Sequence, residues 1–173
     1  MSLSITEKRR VALAYDGSED AHKLLDWTIK NIIVPEKDHI IVLSAVPHGE
    51  KTIPENNHHG DDKKPLPMLS TTPTKFNEDV KEVESHPGCM TARERLEDMS
   101  ARLRTLHISC EEHILWGEAK VLIPRYTQQN KVDLLIVGSR GLGAVKSVFL
   151  GSVSDRCIHE CPCPVLVVRN TTI

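Results

Sequence analysis

Aromatic side chains are scarce in this sequence: Phe, Trp and Tyr make up only 3% of the 173 residues. A surface on which single-stranded nucleic acid stacks its bases needs several aromatic rings, so the composition argues against that function. The charge is nearly balanced as well, with 22 basic and 24 acidic side chains and a formal net charge of −2. This balance favours neither a nucleic-acid groove nor an anionic membrane surface, so we expect neither as a partner and expect any ligand to be recognised locally.

The sequence also lacks long apolar runs, and its number of cysteines is odd. No stretch reaches the about 18 apolar residues of a membrane span, and the apolar run near the start ends at Asp16, too early for a signal peptide. The five cysteines are an odd number, which suits reduced thiols better than a disulfide framework. The sequence therefore predicts a cytoplasmic protein.

Continuous runs of Val, Ile and Leu predict strands that are covered on both faces. The runs are VALAY at 11–15, HIIVLSAV at 39–46, DLLIVG at 133–138 and PVLVVR at 164–169, with a weaker run, ISCEEHILW, at 108–116. Helical patterns lie between them, at about 18–34, 76–106 with a break at 86–88, 120–130 and 153–160. Strands that alternate with helices predict βαβ units and therefore a doubly wound parallel sheet.

The helical patterns also predict which side chains are buried. Ser18 is the expected N-cap of the first helix, whose apolar face consists of Ala21, Leu24, Leu25, Thr28, Ile29 and Ile32. In the second helix, Met90, Leu96, Met99 and Leu103 are expected on one side. Pro124 predicts that the third helix either starts late or kinks, because an interior proline removes a hydrogen bond.

The segment 47–75 differs from the rest. It contains five prolines among Asn, His, Asp and Lys, a composition typical of a mobile surface loop. We therefore expect residues 1–173 to form a single domain with a flexible insertion at 47–75.

The most informative stretch follows the run DLLIV. Gly138, Gly141 and Gly143 come first, nine residues separate Gly141 from Gly151, and Ser152 follows directly. Glycines let backbone N–H groups converge on an anion, and Ser152 with Asp155 forms a capping pattern that would start a helix there. The stretch therefore suits a phosphate site. Taken one at a time, Gly138 could instead be a strand exit, Gly151 a turn and Ser152 an ordinary N-cap.

The spacing G-x-x-G, nine residues, G-S, followed by the apolar strand PVLVV, resembles the signature of the nucleotide-binding subgroup of the universal stress protein family. The resemblance covers nearly the whole chain apart from its first residues and the segment 47–75. It implies an α/β fold of Rossmann-like type, with a five-stranded parallel sheet of order 3-2-1-4-5 and helices on both faces. It also implies a stress-response or signalling protein that binds ATP, or AMP or ADP, with Mg²⁺.

The resemblance further implies the roles of individual residues. Asp16 would meet the ribose or adenine side of the nucleotide, Ala45 would offer a backbone contact to adenine, and the glycines with Ser152 would surround the phosphates. In that strand order the crevice outside strands 1 and 4 is the expected binding place, although Asp16 could also serve only to cap the first helix. The candidate cofactor-binding residues are Ala14, Tyr15, Asp16, Ala45, Gly138, Ser139, Arg140, Gly141, Gly143, Gly151, Ser152, Val153 and Ser154.

Catalytic and metal-binding patterns are weak by comparison. His159, Cys161 and Cys163 lie close in sequence, but the CPCP context extends the chain and points neighbouring side chains apart, so we expect no metal site. No catalytic residue is identified, which leaves at most a slow hydrolysis of ATP. The alternatives to a nucleotide-binding signalling protein are a weak ATPase and a dimeric scaffold that binds no nucleotide.

The last strand, 164–169, is expected at a sheet edge without a charge before Arg169. The family resemblance implies that this strand pairs with its twofold mate in a homodimer.

Overall fold

The computed structural model describes residues 3–47, 66, 68–70, 87–139, 150–169 and 172–173. Strands and helices alternate along the chain, which confirms the predicted α/β class. In chain order the elements are β1 (Arg9–Ala14), α1 (Glu19–Asn31), β2 (Asp38–Val46), β3 (Met68–Ser70), α2 (Pro87–Thr105), β4 (Ser109–Trp116), α3 (Ala119–Gln129), β5 (Leu134–Gly138), α4 (Ser152–Glu160) and β6 (Val165–Val168).

All strands belong to one sheet of order β3-β4-β2-β1-β5-β6. The pairs β1–β2, β1–β5, β2–β4 and β5–β6 are parallel. These five strands therefore have the order 3-2-1-4-5, and that prediction is confirmed.

The sheet is covered on both faces, as expected for continuous apolar strands. Alternate residues of each strand point to opposite faces. On one face Val11, Leu13 and Ile40 pack with α1 and α2. On the other face Ala12, Ile41 and Leu135 pack with α3 and α4 in what we call the second core, whose remaining buried members are Leu43, Leu115, Leu122, Ile123, Tyr126, Val137 and Cys157.

The first helix follows its sequence prediction. The hydroxyl of Ser18 accepts a hydrogen bond from the backbone N–H of Ala21 at 3.1 Å, so Ser18 is the N-cap. The helix buries Ala21, Leu24, Leu25 and Thr28. It ends at Asn31, within the predicted range of about 18–34.

The second helix corrects one predicted side chain. Leu96, Met99 and Leu103 are buried, but Met90 is 53% exposed. Cys89 occupies the buried position instead, three residues before the buried Ala92 and seven before Leu96. The prediction for Met90 was wrong because hydrophobicity was given more weight than the three-and-four spacing.

A short strand lies within the segment 47–75. β3 pairs antiparallel with β4, with Met68 opposite Leu115, and so covers that edge of the sheet. The sequence did not predict this strand, since three residues between prolines carry almost no periodic signal. Residues 48–65, 67 and 71–75 lie outside the described part, so the flexibility of the insertion stays a prediction.

The third helix decides whether Pro124 delays the start of the helix. α3 begins at Ala119 and continues through Pro124 to Gln129, so a late start is wrong. Tyr126 on this helix is buried to 1% exposure in the second core, and such packing stabilises a helix that lacks one backbone bond.

No helix among the described residues is long and apolar enough to cross a membrane. The cytoplasmic location stays a prediction.

Polar side chains form a cluster on the second-core face of the sheet, at the amino ends of its strands. Arg10 Nη2 donates to Glu111 Oε1 at 2.5 Å. The Nε2 atoms of His39 and His113 each lie 3.6 Å from an oxygen of the same carboxylate. His113 first, then His39 and Arg10, hold the pKa of Glu111 well below its ordinary value, while burial acts in the opposite direction. The carboxylate is therefore the centre of the cluster.

We expect Glu111→Gln to lower the free energy of unfolding at pH 7 by about 1–2 kcal/mol, because a charge-assisted bond is lost. A carboxylate whose pKa is lowered in the folded state stabilises the protein above its unfolded pKa and loses this effect as the pH falls. The difference from wild type should therefore shrink below about pH 5. Urea denaturation at several pH values measures it, with the exposed Glu36→Gln as control. A difference that stays constant down to pH 3, or is absent at pH 7, would contradict this role.

Candidate functional site

The carboxyl ends of β1 and β5 lie side by side. Their register pairs Val11 with Leu134 and Leu13 with Ile136, and continuing it by two residues brings Tyr15 level with Gly138. Neighbouring strands lie about 4.8 Å apart. Because β1 pairs with β2 on its other side, the strand order reverses here, and such a switch point opens a crevice in doubly wound sheets.

Backbone bonds anchor both ends of the glycine-rich segment at this crevice. The N–H of Ser139 donates to the carbonyl of Val168, and the N–H of Gly151 donates to the carbonyl of Ser139, each at 2.9 Å. The chain thus leaves β5 and returns to α4 at one point. Arg140, Gly141 and Gly143 lie between these anchors and outside the described residues, so their placement stays a prediction.

The start of α4 differs in detail from the sequence prediction. Gly151 is the N-cap, with φ −66° and ψ 155°, and Ser152 is the first helical residue. The carbonyl of Gly151 accepts from the N–H of Asp155 and from the hydroxyl of Ser154, each at 2.9 Å. The predicted capping by Ser152 is therefore wrong by one residue, because a glycine can serve as N-cap without a side chain.

The consequence for the site is that α4 directs its amino end beside Ser139. A helix amino terminus carries partial positive charge and N–H groups without intrahelical acceptors, which together attract anions. Ser154 is only 2% exposed, and Val153 packs partly against the second core. These two side chains therefore hold the first turn of α4 against the interior of the protein.

Asp16 lies on the opposite side of the crevice, in the turn after β1. Its Oδ1 accepts from the backbone N–H of Ser18 at 2.9 Å and from the Ser18 hydroxyl at 2.5 Å. Gly17 between them has φ +78°, a left-handed conformation that favours glycine. The capping role foreseen as an alternative for Asp16 is thus present, and it fixes the carboxylate at the edge of the crevice.

Tyr15 contributes its backbone to this region and its side chain to the core. The N–H of Tyr15 donates to the carbonyl of Leu43 at 2.8 Å, and its hydroxyl lies 2.9 Å from His22 Nε2. The residue is 3% exposed, and burial raises the pKa of its phenol. Because the ring is held in the core, the side chain of Tyr15 is not suited to contact a ligand in the crevice.

Ala14 and Ala45 lie at the carboxyl ends of β1 and β2. Both are partly buried against the second core, on the face opposite Tyr15. Ala45 stands opposite Leu115, and one residue further the carbonyl of Val46 accepts from the N–H of Gly117 at 2.8 Å. Their side chains are small, so each strand end contributes mainly backbone at this place.

Arg95 was missed by the sequence analysis. It lies on the exposed side of α2, and a Cβ added to Gly17 would be 2.2 Å from its Nη1 atom. Its charge also acts to lower the pKa of Tyr15, against the effect of burial. No sequence pattern connects an exposed helical arginine to a turn so distant along the chain, so only the packing of α2 reveals a cation beside Gly17.

The residues considered for a metal site do not form one in the described part of the chain, which holds no group of three or more His, Cys, Asp or Glu suited to a metal ion. His159 Nδ1 lies 2.8 Å from the carbonyl of Asp155. Cys161 and Cys163 pack partly against the second core.

Known proteins resemble this chain over most of its length. The sequence model described as Universal stress protein family matches residues 8–169. Universal stress protein PHOS34 of Arabidopsis thaliana is 28% identical over 170 residues, which cover 94% of this chain and 62% of that protein. A universal stress protein of Thermus aquaticus is 62% identical over 56 residues, 32% of this chain and 41% of its own length. The matched part of the chain thus spans less than two thirds of either relative.

Solved structures share the fold at low sequence identity. A universal stress protein UspA from Lactobacillus plantarum has a TM-score of 0.63 at 18% identity and covers 94% of this chain and 99% of its own. A family protein from Arabidopsis thaliana with AMP bound has a TM-score of 0.57 at 19% identity, with 93% and 91% covered. A universal stress protein in complex with cAMP has a TM-score of 0.60 at 18% identity, with 95% and 98% covered.

Proposed function

Because the chain belongs to the universal stress protein family, we propose that it binds an adenine nucleotide, namely ATP, ADP or AMP, in the crevice between Asp16 and the segment from Gly138 to Gly151. The observation that carries this proposal is the bond from the Gly151 N–H to the Ser139 carbonyl at 2.9 Å. It holds both ends of a glycine-rich segment at the amino end of α4, where an anion is stabilised. Relatives of the same fold with AMP and with cAMP support the choice of an adenine nucleotide.

The two sides of the crevice suit different parts of a nucleotide. We assign the phosphates to the backbone N–H groups at the start of α4, the hydroxyl of Ser152, Gly138 and, from the motif alone, Gly141. Asp16 and the backbone near Ala45 lie on the ribose and adenine side. Arg95, whose guanidinium lies against Gly17, adds a positive charge at the Asp16 edge.

Mg²⁺ fits this proposal as an ion held mainly by the phosphates. Magnesium is commonly bound by one or two carboxylates together with substrate phosphates and waters. Asp16 is the carboxylate at the crevice edge, and the described residues hold no three-ligand cluster that would bind the ion independently of a nucleotide.

We propose a signalling or stress-response module and not mainly a catalyst. Slow hydrolysis of ATP would require a group that activates water, and the carboxylate of Asp16 is already engaged by two hydrogen bonds from Ser18. The proposal includes a homodimer formed through β6.

We expect purified protein to release an adenine nucleotide when it is denatured, and calorimetry of nucleotide-free protein to show saturable binding of ATP, ADP or AMP. Adenosine and triphosphate, titrated separately, should each bind more weakly than ATP, because each occupies only one side of the crevice. Liquid chromatography of the denatured supernatant identifies the nucleotide. Protein that releases none and gives no binding heat with any of the three would favour the alternative of a scaffold without nucleotide.

A further inference from the structure

β3 and the residue two positions before it bring two apolar side chains to the carboxyl edge of the sheet. Met68 stands opposite Leu115 in the antiparallel pair of β3 and β4. Continuing that register by two residues sets Leu66 level with Gly117, just past the end of β4. Leu66 and Met68 both pack against the second core, and both remain partly exposed. We call these two side chains the β3 wall.

The register of the sheet places the β3 wall in line with the proposed nucleotide site. Ala45 pairs with Leu115, and continuing the register of β1 and β2 by two residues sets Asp16 level with Ala45. One row across neighbouring strands, which are about 4.8 Å apart, thus contains in order Asp16, Ala45, Leu115 and Met68. The proposed function puts the ribose at Asp16, so Met68 is at the far end of the row from the ribose.

The exposure of the side chains along this row shows which of them a ligand can reach. Leu115 is 0% exposed, so other side chains cover it, whereas Ala45 and Met68 are each partly exposed. A purine base is wider than one strand spacing of about 4.8 Å, so a base that begins at Asp16 and lies over Ala45 extends toward Met68. Methionine is long and flexible, and its sulfur makes favourable contacts with aromatic rings, often at the ring edge.

On the basis of the nucleotide binding proposed above, we propose that Leu66 and Met68 are specificity residues, which contact the six-membered ring of the adenine base and form the outer end of its site. A pyrimidine base is shorter and does not reach this contact, so the β3 wall favours purine over pyrimidine nucleotides. The contact is apolar, so it adds affinity for the base and none for the phosphates. This gives the described part of the segment 47–75 a role in base recognition.

Photolabelling of the wild-type protein tests the contact directly. 2-Azido-ATP carries its azide on the six-membered ring of the base and labels side chains beside that ring. Trypsin cleaves after Lys63 and Lys75 but not before Pro65, so residues 64–75 are released as one peptide. We expect this peptide to carry the label and an excess of ATP to prevent the labelling. Label on other peptides only, prevented by ATP, would overturn the β3 wall and leave nucleotide binding intact, whereas no ATP-sensitive label and no binding heat with ATP would overturn both proposals.

Variants separate a contact with the base from a structural role of Met68. We expect Met68→Ala to weaken ATP binding about three- to tenfold, in the range of a lost sulfur–aromatic contact. The affinity for inorganic triphosphate should not change. Wild type should bind ATP more tightly than CTP, and this ratio should fall by the same factor in Met68→Ala. Met68→Leu keeps an apolar side chain of similar volume and should retain most of the affinity for ATP.

Met90→Ala is the matched control, because it makes the same change at a methionine that is 53% exposed on α2, which covers the other face of the sheet. It should leave the affinities for ATP and triphosphate as in wild type. Calorimetry measures both affinities, and circular dichroism shows whether each variant is folded. Unchanged ATP affinity in folded Met68→Ala protein, or an equal loss of affinity for ATP and triphosphate, would show that Met68 does not contact the base.

Discussion

Gly141→Val is expected to weaken ATP binding at least about a hundredfold, equivalent to about 2.7 kcal/mol, while the protein remains folded. Gly141 is the second glycine of the G-x-x-G motif, and the segment that contains it is anchored at Ser139 and Gly151 beside the amino end of α4. A branched side chain there would restrict the backbone and occupy the space through which N–H groups approach the phosphates. The substitution lies between β5 and α4 in the sequence and alters no described strand or helix, so we expect its effect to be local.

Calorimetry with ATP measures the loss of affinity, and circular dichroism with thermal unfolding shows whether the variant is folded. Gly60→Val is a matched control, because it makes the same change in the insertion at 47–75, outside the motif. Its affinity should equal that of wild type. Unchanged affinity in a folded Gly141→Val protein would remove the segment 138–152 from the binding site.

The fold was largely readable from the sequence because each strand carries its own signal. Residues 11–14 and 40–43 are all apolar and mostly buried, so these two strands could be assigned one at a time. Even β4 was found despite Glu111 and Glu112. The structure shows why Glu111 is tolerated in a strand: Arg10 donates to its carboxylate from β1, which lies beyond β2 in the sheet.

The sequence did not predict features that depend on contacts between residues distant in sequence, nor the exact residue at which a helix begins. β3 forms by pairing with the free edge of β4. A segment of three residues carries too little sequence pattern to predict such a pairing. The N-cap of α4 is Gly151 and not Ser152, a difference of one position that sequence patterns resolve poorly. Arg95 reaches Gly17 only through the packing of α2. The motif thus located the crevice, but it could not list all the side chains around it.

The edge strand β6 leads to the second large expected effect. Among the described residues β6 pairs only with β5, and Val165, Leu166 and Val167 are partly exposed. An apolar strand edge of this kind promotes association unless it is covered. Of the described residues that follow β6, Thr172 donates from its N–H to the carbonyl of Arg169 at 2.8 Å and Ile173 packs against the core of the α1 and α2 face.

We therefore expect the wild-type protein to sediment as a dimer at micromolar concentration and Val167→Lys to sediment as a monomer. A lysine in the middle of β6 would place a charge at the paired edges, and antiparallel pairing with a twofold mate would repeat that charge close to itself. Val167→Pro should have the same effect if the lost N–H points to the partner strand, because proline cannot donate a hydrogen bond.

Val34→Lys is the matched control, since Val34 is 43% exposed and lies between α1 and β2, away from β6. It should leave the dimer intact. Circular dichroism distinguishes dissociation from unfolding in each variant, because Val167 also packs partly against the second core. A wild-type protein that sediments as a monomer throughout the micromolar range, or a folded Val167→Lys protein that remains a dimer, would show that β6 is not the interface. Neither result would affect the nucleotide site, because the crevice between Asp16 and Gly151 is formed within one chain.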